Sequence, residues 1–433
     1  MKDCLNKLPE EIKDLIYLIS DIACKDNTAV YLVGGFVRDL ILGVKNLDLD
    51  IVVEGDGIGF AQKLAVEFNV KLVSHKRFGT ATIMARPHLK IDISSARKEY
   101  YPQPAHLPVV SAGALKDDLY RRDFTVNAMA ISIGVKDFGR LIDFFGGRRD
   151  LLNKKIRILH NISFIDDPTR ILRAVRFEKR YNFNIEPKTL KALKESVRKN
   201  MLCKVEPQRL RDELILILKE LHPLDQIKRA WKLTGLDFIS SRLSAFDKKT
   251  CCLLERVEKE ISWFKNNYHH RRHLDDWLVY FMCLTSSLSI DDVRASCEKF
   301  VFRAGEEKRV LIYKKIRTKF IFSLSKEKIK PSKIFASLEP LSYEVILLLK
   351  AKYANKFFQK HIEDFLEIYN GARISISGHD LHALGAVPGP DYKKIFSRVL
   401  NAKLDGSVKT REEELELVKK LLRTRIHTDK KTD

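Results

Sequence analysis

Residues 30–53, VYLVGGFVRDLILGVKNLDLDIVV, carry the densest set of groups suited to phosphate chemistry. The apolar run Val30-Tyr31-Leu32-Val33 ends at Gly34 and Gly35, and helical spacing follows from Phe36 to Leu42. A glycine pair at a helix entry lets a phosphate come close to backbone N–H groups, because no Cβ intervenes and the helix N-terminus favours negative charge. Arg38 offers the same anion a charge-assisted partner. Asp48 and Asp50 flank Leu49 at the head of Ile51-Val52-Val53, so on a strand both carboxylates share one face. Two such carboxylates with no base between them repel one another unless a cation lies there. Mg²⁺ answers that need, since it accepts one or two protein carboxylates and completes its shell from phosphates and water. Taken singly, a Gly-Gly turn signals a hairpin or a helix cap, and Asp-x-Asp a solvated turn. In this order, with Arg38 between them, they point to nucleotide chemistry.

Two later stretches carry matched charges. Residues 118–130, DLYRRDFTVNAMA, place Arg121, Arg122 and Asp123 ahead of an apolar stretch in which Phe124, Ala128 and Ile131 face inward. A guanidinium fork grips phosphate oxygens or a ribose hydroxyl with defined geometry, and Asp123 is an acceptor for a 2′-OH. Residues 166–177, DDPTRILRAVRF, open like a helix, with Asp as cap and Pro early. Arg170, Arg173 and the more offset Arg176 then lie along one broad face, with Ile171, Leu172 and Val175 on the other.

The elements that must position these groups follow from the rest of the chain. Its 433 residues suffice for two to four domains with their own cores. Lys and Arg number 79 against 57 Asp and Glu, a net charge of +22 that favours a polyanionic partner, whether RNA, DNA or an anionic membrane. The longest apolar run, 277–284, is too short to span a bilayer, and the N-terminal segment has acidic and basic amphipathic character without a cleavable apolar core. A cytoplasmic protein is expected. Seven cysteines with no C-x-x-C pair read as reduced core thiols.

Residues 1–27 read as one helix burying Leu15, Ile16, Leu18, Ile19 and Ile22, and 60–68 as a second. Strands are expected over 70–73, 80–84 and 90–94, the last carrying Asp92. Residues 96–115, ARKEYYPQPAHLPVVSAGAL, break up into prolines, tyrosines and mixed charge, which suits neither a regular helix nor a central strand. The reading is a mobile loop beside the active site, with Arg97, Glu99 and Tyr100 as substrate contacts. From Glu186 the pattern is helical to the end, with Trp231, Trp263, Tyr268 and Trp277 as core.

The pattern G-G-x-V-R-D followed by D-x-D resembles the nucleotidyltransferase head of the class II CCA-adding enzymes and bacterial poly(A) polymerases. The resemblance runs along nearly the whole chain. Asp92 matches the family's third carboxylate. R-R-D-F-T-x-N-A over 121–128 resembles the sugar-selecting motif, implying nucleotide contacts at Arg122, Asp123 and Asn127. IDFFGGRRDL over 142–151, with Asp143, Gly146, Gly147 and Asp150, resembles the hinge between head and neck. D-D-P-T-R over 166–170 is similar to the neck motif E-D-x-x-R, with Asp166 where the family has Glu. It implies that Asp167 and Arg170 hydrogen-bond the incoming base, with Arg173 and Arg176 adding nucleotide contacts. Arg supplies donors and Asp acceptors, so the pair matches the mixed edge of cytosine and, slightly shifted, of adenine. Uracil and guanine would leave groups unpaired at roughly 1–3 kcal/mol each. VEPQRLRDEL over 205–214 resembles the last neck motif, in which Arg209 and Glu213 pin helices together, and 377–414 resembles a tail that engages tRNA.

The resemblance implies an α+β chain with a mixed-sheet nucleotidyltransferase head (1–145) and an all-helical neck (146–220), body (221–370) and tail (371–433). It implies template-independent addition of CCA to the 3′ end of tRNA from CTP and ATP, with pyrophosphate released. Asp48, Asp50 and Asp92 would be catalytic, Asp48 and Asp50 would hold two Mg²⁺, and Gly34, Gly35 and Arg38 would hold phosphates. Addition of CC only, A only or poly(A) is the alternative within the class, and a catalytically inactive RNA-binding protein the alternative outside it.

Overall fold

A computed structural model describes residues 2–44, 48–76, 79–86, 89–134, 136–243, 248–268 and 273–429. It divides into two units, Met1–Phe238 and Ile239–Asp433. In place of one N-terminal helix there are two, α1 (Lys2–Leu5) and α2 (Glu10–Lys25). Pro9 stands between them as the N-cap of α2, because proline suits a helix entry and disfavours helix in the residue before it. Leu15, Ile16 and Ile19 are buried, whereas Leu18 and Ile22 are half-buried.

The mixed sheet of the first unit forms from short, β-branched runs. β1 (Ala29–Val33) leads into α3 (Gly34–Leu42), followed by β2 (Leu49–Glu54), α4 (Gly57–Glu67), β3 (Leu72–His75), β4 (Thr80–Arg86) and β5 (Leu89–Ser95). β6 (Arg97–Tyr100) and β7 (Val109–Ala112) pair apart from it as an antiparallel ribbon. After α5 (Leu115–Tyr120), β8 (Ala130–Ser132) and β9 (Leu141–Ile142) complete a seven-stranded sheet of order β3-β4-β5-β2-β1-β8-β9. Its pairs are antiparallel except β2 with β5. The ribbon corrects the expected loop over 96–115. Pro102, Pro104 and Pro108 all fall outside its ladder, so no strand hydrogen bond is lost to them.

The same unit continues with α6 (Gly147–Leu152), β10 (Lys155–Ile156), α7 (Ser163–Asp166), α8 (Thr169–Arg180), β11 (Asn184–Ile185), α9 (Pro187–Arg198), α10 (Pro207–Leu218) and α11 (Pro223–Thr234), β10 and β11 forming a short parallel pair. Asp143 caps α6, accepting from the backbone N–H of Gly147 at 2.8 Å and of Arg148 at 2.9 Å. A Cβ on Gly147 would fall against the Thr125 carbonyl oxygen, so the backbones of α6 and of the segment before β8 meet there. Asp150, almost fully buried, binds Thr125 Oγ1 at 2.7 Å and Arg157 Nε at 2.9 Å.

The second unit is helical throughout its described residues. Trp277 and Tyr268 are buried there and Trp263 is half-buried, as is Trp231 in the first unit. Its C-terminal part has its own apolar cluster of Ile376, Leu381, Ile395, Val399 and Val418. Beside that cluster the fully buried Glu414 accepts from the backbone N–H of Ser375 and Ile376 and from Lys403 Nζ at 2.7 Å. The cysteines are free, but only Cys283 and Cys297 are buried, while Cys24, Cys203 and Cys252 are exposed and so not core thiols. Among the described residues no helix is long and apolar enough to cross a membrane.

The close approach at Gly147 is testable. Gly147→Ala costs more than about 2 kcal/mol, since backbone and not a flexible side chain must give way. A denaturant melt of the variant that overlays the parent would contradict this packing.

Candidate active site

The one parallel strand pair of the seven-stranded sheet sets the centre of the site. β2 and β5 lie in register, with Asp50 opposite Asp92. Residues opposed in this way present side chains on the same face. Leu49 is buried on the other face, and Asp48, exposed just before β2, falls by alternation on the side of Asp50. Asp92 is tied down, accepting from Thr82 Oγ1 and from Lys90 Nζ, each at 2.6 Å. Asp50 is half-buried, and its carboxyl is pushed up to about 6. Burial is the main cause, opposed by Arg122 and reinforced by Asp92 and Asp48.

Among the described residues no ready cage of three or more His, Cys, Asp or Glu side chains is gathered. The donor set is instead a small group of hard carboxylates, one of them bearing an unrelieved charge. That fits Mg²⁺, which takes one or two protein carboxylates and fills its shell from phosphate and water.

Gly34 opens α3 with φ +68°, a conformation suited to glycine. A Cβ there would lie 2.6 Å from Arg122 Nη1 and 3.4 Å from Asp50 Oδ2. The glycine turn, the carboxylate and the guanidinium are thus in mutual contact range. Arg122 is held by Asp118, whose Oδ2 it meets at 3.0 Å, and Arg121 donates to Asp118 Oδ1 from Nε at 2.9 Å and Nη2 at 2.7 Å. Burial works against the Asp118 charge, but Arg122 and then Arg121 outweigh it and hold the carboxyl below its usual range. Asp118 was not among the sequence-derived candidates. Its spacing of three and four residues ahead of two arginines at a helix end was the available signal.

Asp123 sits at the meeting point of head and neck. Its Oδ1 accepts from Phe124 N at 2.8 Å and Asn127 Nδ2 at 2.9 Å, and its Oδ2 from Arg173 Nε at 2.8 Å. Burial is again overcome, here by Arg173, so this carboxyl too is lowered. Asn127 passes the network on by accepting from Arg38 Nη1 at 2.6 Å. Arg38, expected as a phosphate ligand, is buried and already committed: it clasps Asp39 with Nε and Nη2, both at 2.9 Å, and stacks 4.7 Å from the Tyr181 ring centroid.

At the other end of the site Asp167 Oδ1 accepts from Thr169 N at 3.2 Å and Thr169 Oγ1 at 2.7 Å and is ion-paired with Arg209 Nη2 at 2.9 Å. Arg170 is buried and donates from Nη1 to Ser163 Oγ at 2.6 Å and from Nη2 to the Arg121 carbonyl at 2.7 Å.

One cleft of ≈ 520 Å³ brings together Gly34, Gly35, Arg38, Asp50, Arg122, Asp123, Asn127, Asp167, Arg170 and Arg173. Three candidates lie outside it. Asp48 is exposed at the strand entry, and Asp92 lines an adjoining cavity of ≈ 340 Å³ that shares Asp50 and Arg122. Arg176 is buried against Glu213 and Phe177, because the cleft face of α8 runs through Arg170, Arg173 and Phe177 and leaves Arg176 off-line. Arg97 and Glu99 of the ribbon line the cleft as expected, but Tyr100 is 68% exposed and Tyr101 takes its place. Strand alternation accounts for this, since residues 97, 99 and 101 share one face. Arg209, expected only to pin helices, lines the cleft as well.

The state of Asp50 has a measurable consequence. Its folded pKa of about 6 exceeds the ordinary 3.8, so the ionised form weakens the fold, fully above about pH 6 and not at all below 3.8. Without divalent cation, Asp50→Asn is therefore more stable than the parent at pH 8, by roughly 1–3 kcal/mol, and the gain fades as pH falls. Thermal melts of the two proteins across pH check this, and equal stability at pH 8 would contradict it.

The model of the poly A polymerase head domain matches residues 30–157, and that of a probable RNA- and SrmB-binding site of polymerase A matches 182–245. The A-adding tRNA nucleotidyltransferase of Geobacter sulfurreducens is 40% identical over 398 residues, which cover 90% of this chain and 45% of that protein, so the chain spans about half its length. The A-adding enzyme of Halalkalibacterium halodurans is 32% identical over 416 residues, covering 94% of this chain and 91% of that one. Among solved structures, the Thermotoga maritima CCA-adding enzyme complexed with tRNA superposes with a TM-score of 0.74 at 33% identity, over 97% of this chain and 98% of that one. The fold, the ordered motifs and these relatives agree: the chain belongs to the class II tRNA nucleotidyltransferase and poly(A) polymerase family.

Proposed function

We propose that the protein adds the terminal adenosine to the 3′ end of tRNA from ATP, without a nucleic-acid template. The observation that supports nucleotide transfer is the cleft uniting Asp50, the Gly34-Gly35 turn, Arg122, Asp123, Asp167 and Arg170. The sequence reading put full CCA addition first and A addition among the alternatives. The relatives named A-adding, at 40% and 32% identity, favour the narrower activity.

In this reading the RNA 3′-hydroxyl oxygen bonds to the α-phosphorus of ATP in line with the breaking bond to the bridging oxygen. Pyrophosphate leaves and the hydroxyl proton passes to solvent. Asp48 and Asp50, with Asp92 alongside, would hold Mg²⁺, which supplies acidification of the hydroxyl and charge neutralisation on the triphosphate. Arg122 and the glycine turn orient the triphosphate, and Asp123 the ribose. Asp167 accepts from the exocyclic amine of the base, and Arg170 donates to its ring acceptor. Because Arg122 and Arg170 are already fixed by Asp118, Ser163 and the Arg121 carbonyl, little reorganisation is needed on reaction.

CCA addition is the second reading, favoured by the solved relative of that name at 33% identity. Incorporation of each labelled NTP into tRNA transcripts ending before the tail, after C and after CC separates the two. A single A on the CC transcript and no CTP uptake is expected. CTP uptake on the shorter transcripts would establish CCA addition, a long ladder poly(A) synthesis, and no product on any transcript an RNA-binding role. Asp48→Ala with Asp50→Ala abolishes transfer while tRNA binding, read by gel shift, stays within about threefold, since the two carboxylates add no attraction for a polyanion.

A further inference from the structure

Glu213 and Arg209 lie one turn apart on α10, and each makes an ion pair with a cleft residue. Glu213 Oε1 accepts from Arg173 Nη1 at 3.0 Å, and Arg209 Nη2 meets Asp167 Oδ1 at 2.9 Å. The first contact sits on the ribose end of the site and the second on the base end. Arg209 Nη1 is buried with no partner among the described residues, so the pair with Asp167 is what anchors this guanidinium.

The consequence for Asp167 is geometric. Its Oδ1 accepts from Thr169 N and Thr169 Oγ1 and faces Arg209 Nη2 in an ion pair, and among the described residues no hydrogen bond reaches Oδ2. A base amine therefore meets Oδ2, in a carboxylate plane fixed by what holds Oδ1. Thr169 is local and comes with any helix start of this kind. Arg209 is the one long-range anchor, 42 positions away in sequence and on another helix.

Building on the proposed role of Asp167 in base selection, we propose that Arg209 is a positioning residue for nucleotide specificity, acting through the Asp167 carboxylate and not merely as a helix pin. Its loss lets the carboxylate rotate about the Cβ–Cγ bond. The amine of ATP or CTP then no longer meets a fixed acceptor, and the carbonyl of UTP no longer meets a fixed repulsion. Discrimination falls while the Arg122 and Asp123 ends of the site keep their own anchors.

The test is equilibrium binding of ATP, CTP, UTP and GTP to the full chain, followed by steady-state transfer to a tRNA transcript ending in CC. Arg209→Met lowers the ATP-to-UTP affinity ratio about tenfold or more, as expected for an unpaired polar group. Arg209→Lys, which still reaches one carboxylate oxygen, keeps the ratio within about threefold. In an Asp167→Asn background Arg209→Met produces no further change, because the residue acts only through that carboxylate. An unchanged ratio in Arg209→Met, or equal additional loss in the Asp167→Asn background, overturns the proposal and leaves Arg209 a helix pin, whether or not the melting temperature falls. Failure of the parent to transfer any nucleotide would sink the A-adding reading instead, while the binding ratios still decide the role of Arg209.

Discussion

The fork of Arg173 on Asp123 is the interaction on which the cleft depends. Nε and Nη2 reach Asp123 Oδ2 at 2.8 Å and Nη1 reaches Glu213 at 3.0 Å, so one side chain of α8 fixes the segment after α5 and the helix α10 together. Such buried charge is a poor source of net stability, because desolvation offsets most of the attraction. Breaking it on one side is costly, at roughly 3–5 kcal/mol, because the other charge is left stranded. The pair therefore acts less as glue than as a constraint on alternatives. From Asp123 the constraint runs through Asn127 to Arg38 and Asp39, and so to α3, whose first residues are Gly34 and Gly35. The glycine turn at the start of α3 and the helix α8 are in this way parts of one hydrogen-bonded unit.

Against this network of paired arginines, the strand-borne carboxylate stands out. Arg121 and Arg122 share Asp118, Arg173 has Asp123 and Glu213, and Arg170 has Ser163 and a backbone carbonyl. Burial pushes the Asp50 carboxyl up, to about 6. A fold that pairs these arginines yet disfavours the charge on this carboxylate has placed its frustration in the cleft, at the group proposed to meet a cation. The same logic explains Gly34, where a side chain would displace Arg122 from beside that anion.

Much of this was legible in the sequence, because it is encoded locally. The strand–glycine–helix–strand order of 30–53 follows from periodicity, and the structure forms it; the helix expected after Asp166-Asp167 forms as well, but with Pro168 and not an aspartate as its N-cap. What was not legible depends on register and on partners far away. Nothing in the spacing of Asp50 and Asp92 says that β2 and β5 pair in parallel with these two opposed. Arg38 looks in sequence like a free cation beside a phosphate turn, yet it is consumed by Asp39 next to it and by Asn127, 89 positions on. The ribbon at 97–112 was obscured by three prolines, which hide strand character when read by composition although all lie off the ladder. Tyr101 was overlooked in favour of its neighbour for the same reason, since only a strand separates their faces.

The choice between adding A and adding CCA belongs to this illegible part. Cytosine and adenine both offer an exocyclic amine next to a ring acceptor, so an aspartate and an arginine of given identity suit either. Their residue types cannot rank the two bases. What can rank them is the angle and depth at which the pair is presented, set by the groups behind it. Arg170 is placed by Ser163 and the Arg121 carbonyl, and Asp167 by Thr169 and Arg209. Those anchors come from α7, the end of α5, α8 and α10, four segments that no single motif spans. With the same reading pair, small shifts of these four segments would change what is read, because interiors packed at this density pass small displacements on to the groups they support.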